Sequence, residues 1–367
     1  MHNTELRNFI LEHENWEELL VEPPYALKIQ REDGYILFKY NQLASDFTIP
    51  LVREARGIIF EESTLECVCR AFDKFGNYGE DYAPKLDWEH GISVQDKIDG
   101  SLMKAWHHKG RWHLSTNGQI NAYMTPTGDA LYPNFGMLFE RALQEYGFGS
   151  FDEFAHELLH GTTYMFELAT EKNRVVIPYD GYHIYYLGQR NLRNMQEACL
   201  QDWFDDFDLP KLYHASTVED VENMAKELPW DQEGYVCVDK HFNRIKVKSP
   251  SYVRAHFARN NNVITTKRLI DVVLRNEINE FCIYCKDYKN VVVKIAQKMK
   301  DLEDVCMAAL HDFLDDPKPS RKNLEMLMRG EPDYVRHFVF LNYDKAVSFK
   351  EYTAKWNLDK WERILNV

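Results

Sequence analysis

The chain has 367 residues, 45% of them apolar and 14% aromatic, which is enough for two ordinary packed cores. A formal net charge of −14 excludes a protein that coats nucleic acid over its whole surface, and no run approaches the ~18 apolar residues of a membrane span. The start MHNTELRNF lacks the basic-then-apolar pattern of a signal peptide, so a cytoplasmic location is expected, and the seven scattered cysteines fit reduced thiols rather than a disulfide framework.

Asn3 or Thr4 caps an amphipathic segment with Leu6, Phe9, Ile10, Trp16, Leu19 and Leu20 at helical spacing, which Pro23-Pro24 stops. Short β-rich runs over 35–40, 55–60 and 65–72, separated by polar turns, predict antiparallel sheet. Arg56 stands in the second run, and local sequence alone allows either a solvated strand-edge charge or an anion ligand. Lys74, between two aromatics in Phe72-Asp73-Lys74-Phe75, has the same two readings. Next comes Asp96-Lys97-Ile98-Asp99-Gly100-Ser101, a lysine with a carboxylate two residues on and a glycine where the chain must turn. Lys97 reads as a covalent nucleophile, which requires burial or neighbouring positive charge to lower its pKa. Such a string is common by chance, so the reading rests on companions downstream.

Runs over 102–106 and 111–115 flank His107-His108-Lys109-Gly110, a predicted hairpin that holds the Lys97 loop on rigid sheet. Adjacent histidines on a strand point to opposite faces, which speaks against a metal site there. Residues 131–160 read as helical. Three further strand-like runs carry polar residues where a buried strand prefers apolar ones: Tyr164–Leu168 around Glu167, with Asn173-Arg174-Val175-Val176 after it; Glu233–Val238; and Arg244–Ser249. Lys246 and Lys248 are two apart, so both ammonium groups face one side while Ile245 and Val247 face the core. They read either as a two-pronged phosphate clamp or as ordinary lysines on a solvent-facing strand.

Past Ser249 the pattern is helical, over 263–284, 288–314, 324–328, 334–343 and 349–365, with a break at Asp315-Asp316-Pro317-Lys318-Pro319-Ser320. Cys282 and Cys285 form a CxxC without a second pair, which gives no reason to expect zinc. The expected organisation is an α+β domain of antiparallel sheets flanked by helices over 1–255, followed by an all-α domain over 256–367. From His256 onward 19 Lys and Arg against 17 Asp and Glu leave +2, so the first part carries −16 of the total of −14.

Lys97-x-Asp99-Gly100, Phe166-Glu167-Leu168, Glu233-Gly234-Tyr235-Val236 and Lys246-x-Lys248, in this order, resemble the motif set of the covalent nucleotidyltransferases, the superfamily of nucleic-acid ligases and capping enzymes. More closely, Glu54-Ala55-Arg56-Gly57-Ile58-Ile59-Phe60, Lys74-Phe75, Asn173-Arg174-Val175-Val176 and Lys246-Val247-Lys248-Ser249 running on to Tyr252-Val253 resemble the RNA ligase 1 family of T-even bacteriophages. The resemblance spans residues 53–253 and implies a nucleotidyltransferase fold and an ATP-dependent reaction. In that reaction lysine takes AMP from ATP, AMP passes to an RNA 5′-phosphate, and a 3′-hydroxyl displaces it.

On this resemblance Lys97 is the attacking amine, and Lys246 and Lys248 neutralise phosphate charge together with Mg2+, for which Mn2+ would substitute. Arg56 and Lys74 hold the triphosphate tail or the incoming phosphate. Glu167 suits the ribose hydroxyls, Glu233 the metal or its waters, and Asp99 either the metal or the orientation of Lys97. An aromatic from Tyr185-Tyr186, with Tyr186 the candidate, would stack on adenine. The implied partners are RNA ends, such as a broken tRNA anticodon loop, and an end-healing kinase-phosphatase, in a host cytoplasm if the chain is phage-encoded. One departure stands out: where the family places a basic residue after the first hairpin, this chain has Asn117 in Ser115-Thr116-Asn117-Gly118. The competing readings are a DNA ligase or GTP-dependent capping enzyme, which continue into a small β-barrel where this chain turns helical, and a non-catalytic RNA-binding protein, against which the intact Lys97 speaks.

Overall fold

The computed structural model describes residues 4–42, 44–198, 207–258, 264–275, 277–314 and 319–367. The chain forms two compact units, Met1–Arg259 and Asn260–Val367. In the first, the described residues form thirteen strands, in order β1 (Lys28–Glu32), β2 (Tyr35–Lys39), β3 (Arg56–Glu61), β4 (Cys67–Cys69), β5 (Ile92–Asp96), β6 (Ser101–His108), β7 (Arg111–Thr116), β8 (Thr162–Thr170), β9 (Tyr182–Asn191), β10 (Glu197–Ala198), β11 (Leu212–Tyr213), β12 (Gly234–Asp239) and β13 (Arg244–Lys248). They make three sheets, ordered β1-β2-β3-β4, β10-β9-β8-β6-β7 and β11-β5-β12-β13, and every named pairing is antiparallel.

Each sheet buries one apolar face against helix. Phe38, Ile58 and Phe60 of the first pack on Leu6, Ile10, Leu20 and Val52 from the helices Glu5–Glu12, Trp16–Val21 and Pro50–Glu54. Met103, Phe166, Ile184 and Tyr186 of the second pack on Leu138, Phe139 and Phe154 of the helices Phe135–Leu143 and Phe151–Ala155. Val94, Tyr235, Ile245 and Val247 of the third lie against Val221 and Ala225 of the helix Val218–Glu227. Each fully buried phenylalanine contributes about 2 to 3 kcal/mol. Leu37 and Ile59 of the first sheet also meet Trp106 of the second, so those two sheets share a core.

The predicted hairpin forms as β6 and β7 around Lys109 and Gly110, both at positive φ (49° and 74°), the turn that matches strand twist. Several expectations change. The N-terminal helical segment is two helices broken at residues 13–15, where His13 Nδ1 bonds Phe9 O at 2.9 Å, and the run over 65–72 keeps only β4 as strand. Strands β1 and β5 and the helix Val218–Glu227 carry too few apolar residues for their period to show: β1 reads Lys-Ile-Gln-Arg-Glu and lies half exposed.

The second unit is helical. Its long helix Lys289–Leu314 buries Val292, Ile295, Met299, Leu302, Cys306 and Ala309, spaced by threes and fours, and the helices Thr266–Leu274 and Asp333–Asn342 pack on it. The expected helices over 263–284 and 349–365 are each split in two, the second between Phe349–Thr353 and Leu358–Leu365. Asp315–Lys318 of the expected break lies outside the described residues. Cys282 and Cys285 are free thiols, and none of the described helices is long and apolar enough to cross a membrane.

Candidate active site

All three sheets contribute to one cleft of about 890 Å³. Although the chain is acidic, eight lysines and arginines line the cleft against two carboxylates, Asp96 and Glu167, among the described residues. Lys97 stands at its floor, in the loop between β5 and β6. Its backbone N–H donates to Gly234 O at 2.8 Å, and the third residue after it, Gly100, approaches Leu168 O too closely for any Cβ. The Nζ of Lys97 donates to Glu233 Oε2 at 2.8 Å, and Lys248 Nζ lies 3.3 Å from Glu233 Oε1, so one carboxylate joins two ammonium groups. Burial pushes the Glu233 carboxyl up, but Lys97 and Lys248 outweigh it and hold it below the usual carboxylate range.

Strand β13 places Arg244, Lys246 and Lys248 toward the cleft while Ile245 and Val247 are 3% and 4% exposed. Backbone bonds between Lys246 and both Gly76 and Tyr78 fix the strand against the loop that follows Phe75. Arg244 was not singled out in the sequence, though the alternation that marks the two lysines includes it. Its guanidinium lies 4.9 Å over Phe72 and 2.5 Å from Glu197. Arg56 stacks on the same Phe72 and on Phe75, at 4.6 and 5.3 Å, and its Nε and Nη1 are buried without a hydrogen-bond partner. Lys74 lies 5.3 Å over Phe47 and 5.7 Å over Tyr40. Buried guanidinium donors without partners are costly unless an anion meets them.

Glu167 projects from β8 beside Lys97. Burial pushes its carboxyl up to about 7; Lys97 and Arg56 offset part of this, while Glu233 and Asp99 add to it. Because the folded value exceeds the usual 4.5, the folded state holds this proton more tightly, and the stability it gives at low pH is lost as pH rises from about 4.5 through about 7. Glu167→Gln is therefore expected to stabilise the ligand-free protein by about 1 to 3 kcal/mol at pH 8 and to change little at pH 4.5. Denaturant unfolding at the two pH values checks this; a gain independent of pH would refute it.

Two candidates sit elsewhere. Asp99 does not line the cleft: its Oδ2 accepts from the backbone N–H groups of Val176 and Ile177 at 2.9 Å each, and its Oδ1 from Tyr252 Oη at 3.0 Å. With those bonds in place it is a structural clamp, and neither a metal-holding nor a nucleotide-binding role fits. Tyr186 is fully buried among Phe139, Phe154 and Phe166 on the helix side of the sheet, so it cannot stack on a base in the cleft. Tyr185, opposite Glu167 in register, shares the face of Glu167 but does not line the cleft either. The aromatics that line the cleft are Tyr40, Phe72, Phe75 and Phe135. Asn173 supports the floor: its amide donates to Ser101 Oγ and Leu168 O, and it completes a capping box with Thr170.

A family profile described as RNA ligase matches residues 54–252, over half of the chain and the part of this cleft from Arg56 to Lys248. The chain belongs to this RNA ligase family. The "Putative bifunctional polynucleotide kinase/RNA ligase" of Autographa californica nuclear polyhedrosis virus is 30% identical over 284 residues, covering 72% of this chain and 40% of its own length. The "Putative RNA ligase" of Thermovibrio ammonificans is 29% identical, covering 63% of this chain and 60% of its own length, and the RNA ligase of Rhodothermus phage RM378 is 23% identical, covering 81% of each. The chain thus spans 40% and 60% of the first two of these RNA ligases. Among solved structures an archaeal ATP-dependent RNA ligase superposes with a TM-score of 0.44 at 15% identity, over 74% of this chain and 68% of its own; membership of the RNA ligase family rests on the sequence match.

Proposed function

We propose that the protein is an ATP-dependent RNA ligase that joins 5′-phosphate and 3′-hydroxyl ends through a lysyl-AMP on Lys97. The observation that carries this reading is the placement of Lys97 at the floor of a basic cleft, bonded to a Glu233 that it shares with Lys248. When the ion pair opens and Lys97 loses a proton, its Nζ attacks the α-phosphorus of ATP. An N–P bond forms, the bond to the bridging oxygen breaks, and pyrophosphate leaves with the electron pair. A terminal oxygen of an RNA 5′-phosphate then takes the AMP from Lys97, and a 3′-hydroxyl displaces AMP to leave a phosphodiester.

In this reading Lys246 and Lys248 draw charge from the equatorial phosphate oxygens, while Arg56 and Lys74 hold the tail or the incoming phosphate. Glu167 lines the cleft, and a carboxyl raised to about 7 by burial is one that a cation would relieve, so it fits Mg2+ or Mn2+, while Glu233 beneath it is already held by Lys97 and Lys248. That ion would supply positive charge at the phosphate. The test is sealing of a linear RNA bearing a 5′-phosphate and a 3′-hydroxyl with ATP and Mg2+, with AMP and pyrophosphate as co-products. Sealing of DNA alone, or nucleotide transfer from GTP alone, would replace this reading with a DNA ligase or a capping enzyme.

The first unit carries the chemistry in this proposal, and the second, near neutral in charge where the first is strongly acidic, holds RNA structure beyond the two ends, as in a broken anticodon loop. An end-healing kinase-phosphatase would prepare those ends; the name of the viral relative joins a kinase to a ligase. Truncation after Ala258 is expected to spare adenylylation of Lys97 and to weaken sealing of a nicked stem-loop at least about tenfold relative to a short linear RNA. A truncated protein that is folded by circular dichroism and loses both activities in parallel, or neither, refutes the recognition role.

A further inference from the structure

The first sheet brings three cations into a row across its strands. Lys28 of β1 pairs in register with Lys39 of β2, and Lys39 with Arg56 of β3, so the three side chains share a face, and all three line the cleft. Like charges directly opposite each other across a sheet are destabilising, and no ion pair to Lys28, Lys39 or Arg56 is present among the described residues, although Arg56 and the Glu167 carboxyl attract each other. Burial and Lys28 both act against the charge on Lys39. Beneath them the wholly buried Lys104 of β6, whose charge burial opposes, donates to Gly57 O, next to Arg56. Three lysines and one arginine thus gather here, none of them in an ion pair among the described residues.

The row also explains the departure at Asn117. The Lys39 side chain lies over Gly118, its Nζ 2.9 Å from where a Cβ on that residue would be, and Asn117 Oδ1 is buried without a partner. Lys39 therefore reaches, from β2, the turn after β7 that holds Asn117, where the resemblance implies a basic residue. We propose that Lys39 is a phosphate-binding residue of the cleft, supplying positive charge beside Arg56 at the turn where this chain has the neutral Asn117. The ligand is a phosphate group, either in the tail of ATP or at the 5′ end of RNA, and this rests on the ligase reading above.

Lys39→Ser removes the charge, and Lys39→Ser with Asn117→Lys returns it from the other strand. Three measurements on the full chain decide: binding of inorganic tripolyphosphate, adenylylation at limiting ATP, and AMP transfer from adenylylated protein to a 5′-phosphorylated RNA. If the phosphate belongs to the ATP tail, Lys39→Ser lowers tripolyphosphate affinity and kcat/KM for adenylylation by at least about tenfold; if it belongs to RNA, it slows only the transfer step by that factor. In both cases the double variant recovers most of the loss, which a merely structural lysine would not allow. The proposal is overturned if Lys39→Ser stays within about twofold of the unsubstituted chain throughout, or if a loss persists in a double variant of unchanged melting temperature. An unsubstituted chain that takes no label from ATP sinks the ligase reading, and tripolyphosphate binding then judges Lys39 alone.

Discussion

Lys97→Ala is expected to abolish covalent labelling by ATP carrying a radioactive α-phosphate, while the protein remains folded. Loss should be complete rather than partial, because no other described lysine stands at the cleft floor in a loop closed by Gly100 and bonded to Glu233. Folding should survive because Lys248 still neutralises Glu233 after the substitution, so the buried carboxylate is not stranded. Lys97→Arg, which keeps the charge and removes the nucleophilic amine, should be equally unlabelled. Label that persists on either variant refutes the assignment, and equal labelling of the unsubstituted chain by GTP would favour capping chemistry.

The second large effect is at β13. Lys246→Ala and Lys248→Ala should each slow adenylylation at least about tenfold, since a charged hydrogen bond to a reacting phosphate is worth roughly 2 to 4 kcal/mol. The geometry makes them unequal. Lys248 shares Glu233 with Lys97, so removing it tightens the ion pair that must open before Lys97 can attack, and Lys248→Ala should be the slower variant. The double variant should lose less than the product of the two, because both act on one phosphate charge. Single-turnover rates at saturating ATP provide the check; an unimpaired single variant would return that lysine to a solvent-facing role.

How much of this site could be read from sequence depended on the range of the interaction. The shared face of Lys246 and Lys248 was legible because strand alternation is local: two residues fix a face. The hairpin of β6 and β7 was legible for the same reason. Sequence left Asp99 between the metal and the orientation of Lys97, because its partners, Val176, Ile177 and Tyr252, lie 77, 78 and 153 residues away, and motif position says nothing of which way a short carboxylate turns. Tyr186 was misread because the face it takes depends on the register of β9 against β8, which shifts between Met165 and Phe166. Lys39 was invisible as a ligand while β1 and its register were unknown. The helical second unit was legible in kind from its apolar spacing, although not where its longer segments divide.

The clamp at Asp99 also bears on when the protein becomes competent during its own synthesis. One carboxylate ties the loop after β5, the segment at 176–177 and the helix Pro250–Ala258, while β5 finds its sheet neighbours in β11 and β12, more than a hundred residues on. A ribosome adding about 5 to 20 residues per second therefore emits the nucleophile long before the strands that flank it exist. Sheets one and two can close on local hairpins and nearby helices as the chain emerges, but the cleft floor waits for residues beyond 250. An amine that would otherwise meet nucleotide in a half-built pocket is thus withheld from chemistry until the first unit is nearly complete, and a nascent chain arrested before Tyr252 should carry Lys97 unmodified.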